Sequence, residues 1–222
     1  NNTAVGYKSL EANTTGTRNT AIGANAADAC TDGANDNVAI GYDALGSNTG
    51  GDYNVIIGNY AHSASNGAGY NVAVGYQALH ANTTSDNLAI GYHAGLNITT
   101  GNNNVCIGNN AGDAITTANY NTAVGRKALS EAASTGNSAL GYEAGENCAG
   151  SYNVFVGNQA GNSATTGSNN VFIGQAAGNS TTTGSRNVII GYSVQPSNSS
   201  DTLFIGSGNK THTGNYTDAG FI

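Results

Sequence analysis

A five-residue phrase recurs along this chain. It reads Asn, then Val, Thr, Leu or Ser, then a small or apolar residue, then Val, Ile or Leu, and then Gly. Thirteen copies follow one another at intervals of 15 to 18 residues; Asn opens twelve of them and Thr202 opens the last. Positions in each repeat are counted from this Asn, so that the Gly is position +4. A period this short and regular constrains the fold more than any other feature.

The period predicts a parallel β-solenoid. Helix-pair repeats need about 33 residues or more, and Val, Ile and Thr beside Gly and Asn favour strands and turns. We therefore expect an all-β chain with one repeat per coil over residues 1–206, and a C-terminal cap or transition segment over 207–222. Thirteen coils at the strand spacing of about 4.8 Å give a rod about 60 Å long.

The Asn and Gly of each repeat are predicted to be structural. Stacked Asn side chains form an amide ladder between coils, or each Asn closes its own turn, and Gly lets the chain bend without a Cβ. An Ala usually follows three residues after the Gly, and we expect it at a tight inner corner on a second short strand. The predicted ladder and turn residues are Asn37, Gly41, Asn54, Gly58, Asn71, Gly75, Asn87, Gly91, Asn104 and Gly108.

Tyrosines recur on both sides of the phrase. They follow the Gly, as Tyr42 and Tyr76 do, or precede the Asn, as Tyr53 and Tyr70 do. We expect their rings to stack along the rod, with sugar binding by exposed rings as the alternative.

Position +2 is neither charged nor hydroxylated in any copy. With +1 and +3 predicted to fill the coil, +2 points outward, where an apolar stripe has to be covered. We therefore expect it to mediate self-association about the rod axis, with chains closer along the Ala-rich first half than along the Phe-rich second half. The predicted inter-chain interface is Ala39, Ile56, Ala73, Ala89, Cys106, Ala123, Ala139, Phe155, Phe172, Ile189 and Phe204.

Charge and cysteine content narrow the function. The net charge is −7 with only six Lys and Arg, which disfavours nucleic-acid phosphates and anionic membranes. The chain contains no apolar run of about 18 residues, so no membrane span is predicted. Cys30 and Cys148 lie seven repeats apart, too far for a disulfide if coils stack at the strand spacing.

The repeats resemble a known family. "NTAVGYKSL", "NVAIGYDAL" and "NTAVGRKAL" are similar to the left-handed β-roll of trimeric autotransporter adhesin heads, and more so to repeats in bacteriophage tail fibres. The resemblance implies a homotrimeric fibre, on a virion or extracellular surface, that attaches to a host glycan or protein and has no cofactor. In many such fibres a chaperone domain follows the shaft and is cut off, so 207–222 is a candidate remnant of that junction.

Other functions are weighed against this one. Hexapeptide acyltransferase solenoids carry their Leu/Ile/Val-Gly signature more often per coil, and His62, His80, His93 and His212 share no motif, so we expect no enzyme. Asp28, Asp32 and Asp36 suit a solvated turn better than a cation site. A self-assembling extracellular filament remains open, as does an ice-binding solenoid that uses Thr15, Thr84, Thr100, Thr117, Thr166 and Thr183.

Overall fold

The computed structural model describes residues 1–31, 33–64, 66–131, 134–195 and 198–207. Its regular structure there is a single parallel sheet of thirteen strands in sequence order. Each strand is three residues long and coincides with positions +1 to +3 of one repeat, so the predicted β-solenoid is confirmed. The strands are β1 Thr3–Val5, β2 Thr20–Ile22, β3 Val38–Ile40, β4 Val55–Ile57, β5 Val72–Val74, β6 Leu88–Ile90, β7 Val105–Ile107, β8 Thr122–Val124, β9 Ser138–Leu140, β10 Val154–Val156, β11 Val171–Ile173, β12 Val188–Ile190 and β13 Leu203–Ile205.

Successive strands pair in strict register. Ala39 lies opposite Ile56, and Phe155 lies opposite Phe172. The repeats differ in length by up to three residues, yet no strand shifts, so the turns absorb the whole variation. Each coil therefore rests on the next through main-chain hydrogen bonds, and stability depends on nearest-neighbour contacts.

The expected second strand of each coil is a run of turns instead. Residues +6 and +8 have left-handed backbones, as in Asp43 (φ 54°) and Leu45 (φ 56°). The Asp43 N–H donates to the Ala24 carbonyl oxygen of the preceding coil at 3.0 Å. The Leu45 N–H donates to the Ala61 carbonyl oxygen of the following coil, also at 3.0 Å. Ala44 between them is fully buried, which confirms the predicted inner corner.

The interior of each coil is lined by position +2, which corrects our prediction. Within a single chain, ten of the eleven residues assigned to an inter-chain interface are at most 1% exposed, and Phe204 is partly buried against the same core. These residues are Ala39, Ile56, Ala73, Ala89, Cys106, Ala123, Ala139, Phe155, Phe172 and Ile189. Positions +1 and +3 point outward instead, so residue size at +2 says nothing about the distance between chains.

Side chains at +2 and +8 share the narrow interior. Phe155 and Phe172 pack with ring centroids 5.7 Å apart, and both coils carry Gly at +8, namely Gly161 and Gly178. A Cβ on Gly145 of the preceding coil would lie 2.5 Å from the Phe155 ring. The large rings fit because these positions lack side chains.

Candidate interaction surface

One face of the rod carries the exposed apolar side chains. Positions −1, +1, +3 and +5 point outward because they alternate with the buried Asn and the buried +2 residue. All eighteen large hydrophobic residues that are exposed in the described chain lie at these four positions. We call this surface the outer face; at about 3.3 Å per residue and 4.8 Å per strand it measures roughly 20 by 60 Å.

The centre of the outer face is aliphatic. Position +3 is aliphatic in all thirteen strands, position +1 is aliphatic in nine and Thr or Ser in four, and neither is ever charged. None of these side chains is fully buried; Ile57 is 38% exposed and Leu140 is 53% exposed. The +3 column is Val5, Ile22, Ile40, Ile57, Val74, Ile90, Ile107, Val124, Leu140, Val156, Ile173, Ile190 and Ile205.

Tyrosines and ion pairs form the two rims of the outer face. Ten of the chain's twelve tyrosines stand at −1 or +5. The −1 rim also carries two bidentate pairs, Arg18 with Asp36 near one end and Arg186 with Asp201 near the other. An apolar centre with Tyr and Arg around it is the composition of protein–protein interfaces.

The predicted stacking of rings is found in part of the rod. Tyr53 and Tyr70 stack with centroids 5.1 Å apart, and Tyr76 and Tyr92 stack at 5.6 Å with planes 12° apart. Tyr142 instead lies beneath the Arg126 guanidinium, whose Cζ is 5.4 Å from the centroid of the Tyr142 ring. Each stacked ring shares one face with its partner, and Tyr53 and Tyr70 remain 51% and 60% exposed, so sugar binding stays an alternative prediction for these rings.

An uninterrupted amide ladder supports the sheet from within. The Asn121 N–H donates to Asn104 Oδ1 at 3.0 Å, and the Asn104 N–H donates to Asn87 Oδ1 at 3.0 Å. The series runs from Asn2 to the Thr202 N–H. Because Asn104 Nδ2 also donates to Ala118 O of its own coil at 2.9 Å, such side chains both join coils and close turns. The predicted Asn37, Asn54, Asn71, Asn87 and Asn104 all belong to this ladder.

The +4 glycines form a parallel column. Gly41, Gly58, Gly75, Gly91 and Gly108 have φ between 131° and 140°, a region that favours glycine. A Cβ on Gly108 would lie 2.6 Å from the Gly125 carbonyl oxygen. The predicted need for a residue without Cβ is therefore confirmed, with the next coil as the obstacle.

The remaining candidate residues do not converge. Among the described residues, no group of three or more His, Cys, Asp or Glu is placed to hold a metal ion. Asp36 pairs with Arg18, and Asp32 and His212 lie outside the described residues. Cys30, Cys106 and Cys148 are buried free thiols. Burial raises the pKa of Cys30 and Cys106 to about 12 and that of Cys148 to about 11.

A column of threonines runs along one turn edge. Most of these threonines directly precede, in sequence, a threonine that the sequence analysis proposed for ice binding. Thr83 Oγ1 donates to Thr99 O at 2.8 Å, and Thr99 Oγ1 donates to Thr116 O at 3.1 Å. These hydroxyls link one coil to the next, so their hydrogens are engaged within the chain.

Comparison of the chain with protein-family models, curated proteins and solved structures gives no significant match. No helix in the described ranges is long and apolar enough to cross a membrane. Fold and surface together define a repetitive β-solenoid with one extended apolar face. Sequence reasoning missed this face because it placed +3 inside, although the alternation of Asn, +2 and Gly on one side was a usable signal.

Proposed function

We propose that this chain is a structural segment of a homotrimeric surface fibre, assembled through the outer face. The observation that carries the proposal is the +3 column of the outer face, which is aliphatic in all thirteen strands. The outer face offers roughly 1,200 Å², or about 600 Å² toward each of the two neighbours in a trimer, which is at the lower end of the range of about 600–1,000 Å² per partner in a typical stable interface. An apolar surface of this extent on a soluble chain favours contact with another protein surface.

The rims favour a second copy of the chain as that partner. Rotation about the rod axis brings the −1 rim of one copy to the +5 rim of the next at the same coil. In seven coils this places a Tyr opposite a polar or charged residue, and in one coil it places Tyr70 opposite Tyr76. The seven pairs are Asn1 with Tyr7, Asp36 with Tyr42, Tyr53 with Asn59, Asp86 with Tyr92, Tyr120 with Arg126, Tyr152 with Asn158, and Arg186 with Tyr192.

The role of such a fibre is mechanical and multivalent. A rigid rod presents identical turns three times, so weak contacts with a host glycan or protein add through their effective concentration. The resemblance of the repeats to phage tail fibres and adhesin heads supports attachment, on a virion or a cell surface. Turns of variable length and sequence are the part of each coil available for a receptor.

Light scattering of the purified full chain tests the assembly. We expect a discrete mass of three chains, and a folded monomer for Ile107→Asp, which puts a charge in the centre of the outer face. Thr117→Asp is the matched control, because it adds the same charge to an exposed turn of the same coil. Open-ended polymers would favour the filament alternative, and a monomeric wild-type chain would refute the proposal.

Phe155→Asp should act differently from Ile107→Asp, although the sequence analysis placed Phe155 in the inter-chain interface. Because Phe155 is fully buried in its own coil, a charge there unfolds the chain rather than separating intact protomers. Circular dichroism distinguishes the two, since Ile107→Asp keeps the wild-type spectrum.

A further inference from the structure

His62 is a buried imidazole in a column that holds leucine on either side. It stands at +8 of the fourth coil, where the third and fifth coils have Leu45 and Leu79, and all three side chains are fully buried. The backbone joins this turn to the next coil, since the His62 N–H donates to Ala78 O at 2.9 Å and the Ala64 N–H donates to His80 O at 3.1 Å.

The hydrogen bonds around His62 require a neutral ring. His62 Nε2 lies 3.1 Å from Asn82 Nδ2, an amide nitrogen that can only donate. Asn82 cannot turn its oxygen toward the ring, because Oδ1 already accepts from the Thr84 N–H at 3.1 Å and the Thr84 hydroxyl at 2.9 Å. The ring proton therefore sits on Nδ1, which is buried without a hydrogen-bond partner.

We propose that His62 makes the contact between the fourth and fifth coils an acid-sensitive joint, where the turn at 60–64 separates from 78–82 when the imidazole takes up a proton. A second proton would bind to Nε2, where the new N–H group would face the N–H groups of the Asn82 amide. Both ring N–H donors of the cation would then be buried without an acceptor.

Among the described residues of the neighbouring turns, no charged group is hydrogen-bonded or ion-paired to the ring to offset that cost. The titratable groups there are Asp43 on the third coil, Tyr60 on the same turn, and His80 on the fifth coil. None of them is hydrogen-bonded to the ring, and His80 Nδ1 lies instead 2.8 Å from Ser63 Oγ and 3.2 Å from Tyr60 O. Burial alone lowers the pKa of His62 to about 3.

The direction of the pH effect follows from that shift. In the opened turn the imidazole recovers an ordinary pKa of about 6.5, whereas in the closed joint it stays neutral down to about 3. The open form therefore gains protons first as the pH falls below 6.5. Between these two values the opening equilibrium constant rises about tenfold per pH unit, and above pH 6.5 it is constant.

Hydrogen exchange followed by mass spectrometry tests the joint in the full chain. Wild type and His62→Leu, which copies the neighbouring coils, are compared at the same pH between 7 and 4, so intrinsic exchange rates cancel. We expect the ratio of wild-type to variant exchange to rise about tenfold per pH unit below 6.5 in peptides covering 58–82. In peptides covering 138–190 the ratio stays constant.

Two further variants secure the assignment. His62→Gln also cannot titrate and gives the same result if the leucine variant does not fold. His80→Gln retains the wild-type acid response, because His80 is not the buried ring. A pH-independent exchange ratio at 58–82, or loss of the response in His80→Gln, would overturn the proposal.

Discussion

The ring of Phe155 occupies the space that a side chain on Gly161 would fill. A Cβ on Gly161 would lie 3.1 Å from Cζ of that ring and closer still to Cδ1 and Cε1. The equivalent residues two coils earlier are Ala123 and Leu129, so a small +2 residue accompanies a large +8 residue. Leu129 has the same left-handed backbone (φ 51°) as Gly161 (φ 60°), so steric conflict with the ring, rather than conformation alone, excludes leucine from position 161.

Exchanging the two side-chain sizes tests this compensation. We expect Phe155→Ala to cost about 3–5 kcal/mol of unfolding free energy because it leaves a cavity, and Gly161→Leu to destabilise by overpacking. The double variant recreates the Ala123 and Leu129 arrangement and recovers most of both losses. Urea unfolding followed by circular dichroism gives the coupling energy, and simply additive losses would contradict the packing.

Removing one rung of the amide ladder should be costly. Asn104→Ala leaves the Asn121 N–H and the Ala118 carbonyl without partners inside the rod. At about 1–3 kcal/mol for each buried unpaired group, we expect a loss of roughly 2–6 kcal/mol. Asn109→Ala, at an exposed residue of the same coil that does not have a left-handed backbone, is the control and should lie within about 0.5 kcal/mol of wild type. Equal effects of the two substitutions would argue against the ladder.

A side chain in the glycine column should destabilise the contact between adjacent coils. Gly108→Ala introduces a Cβ at φ 131°, 2.6 Å from the Gly125 carbonyl oxygen. A strained backbone costs about 1–3 kcal/mol, and the steric conflict adds to it. Thermal unfolding should show a large drop in the melting temperature. An unchanged melting temperature would mean that adjacent coils separate at no cost.

Engineered cysteines test the proposed register of the copies. Tyr53 and Asn59 stand on opposite rims of the same coil, on either side of strand β4 (Val55–Ile57). The three residues of the strand alone span about 10 Å, which is too far for an intrachain disulfide. We expect Tyr53→Cys/Asn59→Cys to form disulfides between chains under mild oxidation, seen on non-reducing gels. Tyr53→Cys/Asn158→Cys, with its cysteines six coils apart, is the matched control. More efficient cross-linking of that mismatched pair would contradict parallel, in-register packing.

The native thiols should be inert while the rod is folded. Because burial raises the pKa of Cys106 to about 12, essentially no thiolate forms at about pH 8. A disulfide reagent such as dithiodipyridine should react with Cys30, Cys106 and Cys148 only after denaturation. Rapid reaction of any one of them in the native protein would show that its coil opens readily.

The repeat alone predicts most of the fold. Thirteen repeats with the same pattern predict thirteen equivalent coils. The period is too short for a pair of helices, so each coil has to consist of strands and turns. Asn and Gly, at fixed spacing, mark the ladder positions and the bend, because the Asn amide can both donate and accept and Gly tolerates the positive φ that the bend requires. These conclusions rest on local chemistry that every coil repeats.

Only the tertiary structure decided which apolar residues face inward. The apolar side chains at +1, +2 and +3 do not by themselves show which face is buried, because alternation separates the two faces of a strand without saying which one is inside. Closure of the coil decides which face of the strand is buried. Asn at position 0 must be buried to bond along the rod, which brings +2 inside with it, leaving Ile107 and its equivalents on the outer face. Likewise, only the packed structure shows that His62 replaces a core leucine, since its burial depends on coils seventeen residues away on either side.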